Sequence, residues 1–317
     1  MSVRILGKPV FAILLGCLFV VLGWVILARR TTSSFPVSQQ TSGTLQVMAS
    51  FYPLADLAKN IGGSQVEVAT ITPTGVEPHD YEPTPQDLAK VYQAKLVLLN
   101  GNGLDAWGDR LLTDLRSKHI PVIRMSDALV VLPTDGAASN KELYDPHVWL
   151  DPQNVIREAD LVSDALSTID PSHAQTYAVN RDVYTSKLMQ LDADYRAGLM
   201  TCQTRELFTS HNAFRYLARR YGLVSSYLQG LSPEEDPSPQ TMANLANRAK
   251  RERISYVFFE TLVNPKLAET LAQEIGAKTL LLNPIEGLTA QDVAAGKDYL
   301  QLMRDNLANL RLALRCT

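Results

Sequence analysis

From His173 to Met200 the chain carries no proline, and no glycine before Gly198. Nothing in that stretch stops a helix, so it is expected to form about 25 residues of continuous helix, roughly 40 Å long. A rod of that length dictates the rest, because whatever flanks it must be laid out along it. On its N-terminal side, strand-like runs at 45–51, 66–71, 96–99 and 122–123 alternate with helix-period segments at 52–60, 85–92 and 107–116. Residues 153–172 read as further helix. On its C-terminal side, strands at 207–209, 224–228, 254–259 and 279–282 alternate with helices at 213–221, 239–251, 265–275 and 290–314. Such alternation builds parallel sheets with helices packed on their faces. The expected fold is α/β. It has two lobes, each with a parallel-type sheet flanked by helices, at 45–172 and 202–317, and one long rigid helix at 173–201 joins them.

Residues 9–28 carry no charge and are bracketed by Arg4 and Lys8 before and Arg29 and Arg30 after. Twenty such residues match the ~30 Å of a bilayer core, so residues 1–30 form a membrane anchor or a signal segment. An uncleaved span is favoured, because eleven more apolar residues follow Cys17. Leu14-Leu15-Gly16-Cys17 nevertheless resembles a lipoprotein processing box, which would leave Cys17 lipidated, and a cleaved signal is the third option. Residues 31–44, rich in Ser, Thr and Gln, read as a flexible tether. Every option puts the remainder at the outer face of the cytoplasmic membrane, extracellular or periplasmic. There, Cys202 and Cys316 could form a disulfide, the alternative being two unrelated buried thiols. A formal charge of -3 gives no electrostatic support for a nucleic-acid partner.

The chain has only five histidines. His147 stands between Asp145-Pro146 and Asp151-Pro152, where each proline fixes its own φ and pushes the residue before it towards extended geometry. His79 lies in the proline-rich run Gly75 to Pro85, and His211 in Phe208 to Phe214. Three imidazoles on loops in separate parts of the chain suggest one borderline-metal site assembled by the fold, in the cleft between the lobes. Glu286, in the loop Leu282-Asn283-Pro284-Ile285-Glu286-Gly287 leaving an apolar strand, is the candidate fourth ligand. Glu260, at the end of the 254–259 strand, is its rival, or an acceptor that orients a ligand imidazole. His119 and His173 read as surface or capping residues, and Trp149 and Tyr81 as packing beside the site. The spacings fit no zinc finger and no His-Glu-x-x-His motif.

Four segments, Gly75-x-Glu-Pro-His79-x-Tyr-Glu-Pro-Thr-Pro85, Asp145-Pro-His147-x-Trp-Leu-Asp-Pro152, Ser210-His211-x-Ala-Phe-x-Tyr-Leu-Ala-x-x-Tyr-Gly222 and Leu282-Asn-Pro-Ile-Glu286-Gly-Leu-Thr289, occur in that order. Together they resemble the metal-binding solute receptors of ABC importers for zinc and manganese, and the resemblance runs from about Leu45 to the C-terminus. It implies two lobes bridged by a rigid helix with one metal ion between them. His79, His147, His211 and Glu286 are then the ligands of transported Zn2+, and a permease with its ATPase are the partners of a monomeric receptor. In the manganese branch a carboxylate replaces the third histidine; here that position is His211, so Mn2+ is the lesser expectation. The His-rich loop of many zinc receptors is absent from Leu132 to Leu143. The implied protein is not an enzyme. A manganese receptor and a metal-stabilised surface adhesin are the alternatives, with a zinc hydrolase behind them.

Overall fold

The computed structural model describes residues 44–134, 144–234 and 236–317. The apolar stretch at 9–28, and with it the anchor, lipid and signal readings, lies outside the described residues. No helix among the described residues is long and apolar enough to cross a membrane.

The first lobe is built on a parallel sheet of four strands, β1 (Leu45–Ala49), β2 (Val66–Thr70), β3 (Leu96–Leu99) and β4 (Val122–Arg124), in the order β2-β1-β3-β4. Its side chains alternate between two apolar layers. Val47, Ala49, Leu96 and Leu98 join the main core, while Met48, Val97 and Leu99 pack with Trp107 and Leu115 on the other face. Burial on both faces is why 96–99 reads as an unbroken apolar run. Helices α1 (Tyr52–Gly62), α2 (Pro85–Val91) and α3 (Ala106–Ser117) follow β1, β2 and β3.

Helix α4 (Pro152–Ile169) leads through a short turn into the long helix α5 (Ala174–Gly198), which is 25 residues or about 37 Å. Tyr177, Tyr184, Leu188, Leu191 and Tyr195 recur at three-, four- and seven-residue steps, and all are buried. The N-terminal half of α5 is fastened to the first lobe. Asn180 Nδ2 donates to the Ile61 carbonyl at 2.9 Å, and the Tyr184 hydroxyl to Asp56 at 3.3 Å. The C-terminal half is fastened to the second, where the Tyr195 hydroxyl donates to the Met303 carbonyl at 2.6 Å and that of Tyr221 to Asp192 at 3.1 Å. One apolar cluster runs through all three parts.

In the second lobe, β5 (Glu206–His211) pairs in parallel with β6 (Val224–Gln229), and β7 (Tyr256–Phe259) with β8 (Lys278–Leu281). Ser210 Oγ donates to the Phe258 carbonyl at 3.3 Å, drawing the two pairs together. Helices α6 (Arg215–Tyr221), α7 (Pro239–Arg251) and α8 (Lys266–Ile275) lie between these strands in sequence. A disulfide joins Cys202 to Cys316 and ties the C-terminus to the far end of α5.

The expected final helix at 290–314 is two helices, α9 (Ala290–Ala294) and α10 (Tyr299–Ala313). Gly296 sits at φ +64, a left-handed stop, and the Asp298 side chain then caps the new helix by accepting from the Gln301 N–H at 2.7 Å. Apolar spacing continues across the break, which hides it in the sequence.

Candidate metal centre

Each of the four candidate ligands hangs from a stiff connection. His79 follows β2 in a loop in which the Val76 N–H donates to the Pro73 carbonyl and the Tyr81 N–H to the Pro78 carbonyl. Thr84 ends that loop with a reciprocal capping box to Asp87. His147 is at the centre of a tight turn, φ -77 and ψ 42, closed by the Val148 N–H on the Pro146 carbonyl at 2.8 Å. Asn100, just past β3, donates to the same carbonyl at 2.8 Å. His211 was expected on a loop, but it is the last residue of β5, placed by the ladder itself. Glu286 lies five residues past the end of β8.

The fold brings these four side chains together. The Nε2 of His147 lies 3.2 Å from that of His79 and 3.3 Å from that of His211. Glu286 Oε1 is 3.2 Å from His147 Nε2 and 3.5 Å from each of the other two. Ligand bonds of ~2.0–2.1 Å around a tetrahedral zinc ion give ligand-to-ligand edges of about 3.3–3.4 Å, which is the spacing present here. The four atoms therefore stand where a small tetrahedral cation would be held. His147, His211 and Glu286 are fully enclosed, and His79, 9% exposed at its side chain, faces the opening.

Behind the rings stand carboxylates. Asp145 Oδ1 lies 2.8 Å from Nδ1 of His147 and also accepts that residue's backbone N–H at 3.0 Å. Glu260 makes the equivalent pair in the second lobe, accepting the His211 N–H at 3.0 Å through Oε1 and meeting Nδ1 through Oε2. A carboxylate on Nδ1 keeps the proton there and presents Nε2 as the free lone pair. Glu260 thus stands behind the His211 ring, outside the cluster of His79, His147, His211 and Glu286. Asp145 was missed as a functional residue, and its place two positions before His147 is the one sign of it in the sequence. Glu77 accepts the His79 N–H at 2.9 Å, and burial followed by the nearby Glu286 pushes its carboxyl up to about 8.

Burial depresses His79 below its ordinary pKa. Burial would do the same to His147 and His211, but Asp145 and Glu286 outweigh it for the first, and Glu260 and Glu286 for the second, so both are raised. Burial would raise Glu286, yet its contacts with the three rings hold it well below the usual carboxylate range. The centre is an enclosed cage in which Glu286 Oε1 is buried and faced only by the three imidazole Nε2 atoms. His119 is exposed and His173 is occupied by Asp170 at 2.6 Å, so neither contributes. Trp149 packs beside the site, edge-on to Phe51 with centroids 4.7 Å apart.

Residues 47–313 match the family of the periplasmic zinc-uptake complex component A, ZnuA. The chain belongs to the ZnuA family. It is 32% identical over 303 residues to the high-affinity zinc uptake system protein ZnuA of Bacillus subtilis, covering 92% of this chain and 94% of that one. It is 34% identical over 282 residues to the zinc-binding lipoprotein AdcA of Streptococcus pneumoniae, covering 86% of this chain and 56% of AdcA. The chain thus spans just over half the length of the AdcA relatives it matches. Among solved structures, the Zn(II)-bound ZnuA-like domain of that AdcA superposes with a TM-score of 0.75 at 34% identity, covering 86% of this chain and 99% of the domain. The laminin-binding protein Lmb of Streptococcus agalactiae, a bifunctional protein with adhesin and metal transporting activity, superposes with a TM-score of 0.77 at 32% identity over 85% and 99%. These ZnuA-like neighbours share the two-lobed α/β plan expected from the strand and helix alternation.

Proposed function

We propose that this chain is the extracytoplasmic solute-binding receptor of a high-affinity zinc ABC import system. It captures one Zn2+ between its lobes and delivers it to a membrane permease driven by its ATPase. Nε2 of His79, His147 and His211 and Oε1 of Glu286 are the ligand atoms. The observation that carries this reading is the 3.2–3.5 Å separation of Glu286 Oε1 from all three imidazoles and of His147 Nε2 from the other two, close to the edge lengths of a tetrahedral zinc site. Three imidazoles and one carboxylate suit zinc better than manganese, which favours oxygen-rich octahedra. Four protein ligands also leave no open position for an activated water, which argues against a hydrolase.

The Cys202–Cys316 disulfide fits an oxidising, extracytoplasmic compartment. The lipoprotein name of the pneumococcal relative favours lipid on Cys17 over a transmembrane span as the anchor. A second reading, a surface adhesin stabilised by metal, draws support from the structural neighbour Lmb. Laminin binding that survives replacement of all three histidines would favour it.

The test is to load the full chain with equimolar Zn2+ and Mn2+, remove free metal and quantify what stays bound. One zinc per chain, lost in His211→Ala, is the expected result. Preferential manganese, or no retained metal, would overturn the proposal.

A further inference from the structure

The loop that carries Glu286 is held from behind by a residue that is not among the candidate ligands. Asn306, on α10, is 1% exposed. Its side-chain carbonyl accepts the Asn283 N–H at 2.8 Å, and its amide donates to the Asn283 carbonyl at 2.7 Å. Asn283 passes the constraint on, because its own Oδ1 accepts the Ile285 N–H at 2.8 Å and the Thr261 hydroxyl at 3.0 Å. From the first lobe, Trp149 Nε1 donates to the Pro284 carbonyl at 2.7 Å. Between these restraints Ile285 is fully buried at φ +61, a region that a β-branched residue enters only when its surroundings impose it. None of these bonds uses the Glu286 carboxylate. The loop is set by the protein alone, and it aims one oxygen at the three Nε2 atoms.

We propose that Asn306 is a positioning residue that determines metal specificity, an inference resting on the zinc-receptor reading above. By clamping Asn283 it forces the Ile285 turn and fixes Glu286 as a single-oxygen ligand at tetrahedral spacing. Released from that clamp, the carboxylate can rotate to offer both oxygens or retreat to admit water. Either change raises the coordination number and favours cations that accept five or six ligands.

The test compares the full wild-type chain with Asn306→Asp, which keeps the acceptor and loses the donor, and with Asn306→Leu, which loses both. Asn309→Ala is the control, since Asn309 Nδ2 donates to the Leu281 carbonyl at 2.9 Å from one turn further along the same helix, outside the Glu286 loop. Two readouts are taken: the Zn2+-to-Mn2+ competition ratio, and the visible absorption of bound Co2+, which is intense in tetrahedral sites and weak at higher coordination. Both Asn306 variants should lose about tenfold or more in zinc affinity, the usual cost of removing an outer support. They should also lower the competition ratio and weaken the cobalt bands, while the Asn309 variant keeps wild-type values. Wild-type ratio and spectrum in both Asn306 variants would overturn the proposal. Should neither variant fold, Thr261→Val, which removes the hydroxyl bond to Asn283 Oδ1 with little change of volume, must move both readouts the same way, and unchanged readouts there overturn it equally. Failure of the receptor reading itself is recognised separately, as a wild-type chain that retains no zinc.

Discussion

Glu260 grips His211 at two points, taking the backbone N–H with one carboxylate oxygen and meeting ring Nδ1 with the other. The second lobe thereby holds its imidazole as Asp145 holds that of His147 in the first, with one carboxylate fixing both the main chain and the ring.

The grip on His211 predicts a graded response. Glu260→Gln keeps one acceptor oxygen, enough for the main-chain N–H or the ring but not both, whereas Glu260→Ala leaves a buried N–H and a loose imidazole. Zinc affinity should fall about 10–100-fold in the alanine variant and by less in the glutamine variant. Competition against a calibrated chelator measures both.

Zinc affinity should also fall as the medium is acidified. Ligation requires neutral imidazoles, and their carboxylate neighbours raise His147 and His211 above the ordinary value near ~6.5. Protons therefore compete at these two rings from above that pH downward, and burial keeps His79 neutral lower still. Titration of the metal-loaded chain from pH 8 to 5 should show progressive release, and affinity unchanged well below pH 6 would contradict histidine ligation.

Glu158 on α4 is 1% exposed, its Oε1 lacks a hydrogen-bond partner, and burial aided by Asp151 pushes its carboxyl up to about 8. A carboxyl whose folded pKa exceeds its unfolded value favours the fold when protonated, and that advantage fades as pH rises from the unfolded pKa through the folded one. Glu158→Gln, neutral at every pH, should match the wild type near pH 4.5 and exceed it in stability by up to about 4 kcal/mol above pH 8. Urea unfolding across that range gives the comparison.

Reduction of Cys202–Cys316, which are 114 positions apart, should lower stability by about 2–5 kcal/mol through the freedom returned to the unfolded chain. Zinc stoichiometry should be unaffected, because the bridge fastens α10 and its tail to α5 and touches no ligand. Denaturation with and without reductant, alongside metal analysis, checks both halves.

The sheet strands and the metal centre were legible because each leaves a local mark. Leu96 to Leu99 is apolar throughout because both sheet faces are covered, and His79 and His147 sit among prolines that stiffen their connections. What escaped depends on partners distant in sequence. Asn306 is a single amide on an otherwise ordinary helix, and its meaning comes from Asn283, 23 residues earlier. Gly296 interrupts a helical pattern whose apolar period resumes beyond it. His211 lay in a motif suggestive of a loop, while the β5 ladder that positions it is formed with β6, a segment not yet reached in the chain.

The four atoms that meet at the cage come from four widely separated stretches, and no two of those stretches are neighbours in sequence. No short stretch of a nascent or translocating polypeptide therefore carries more than one of the four candidate ligands. Under the proposed receptor reading, capture of the ion waits on the finished tertiary structure, so occupancy would report that folding is complete. If the chain crosses a membrane unfolded, it crosses without cargo and begins to scavenge only on the side where it folds.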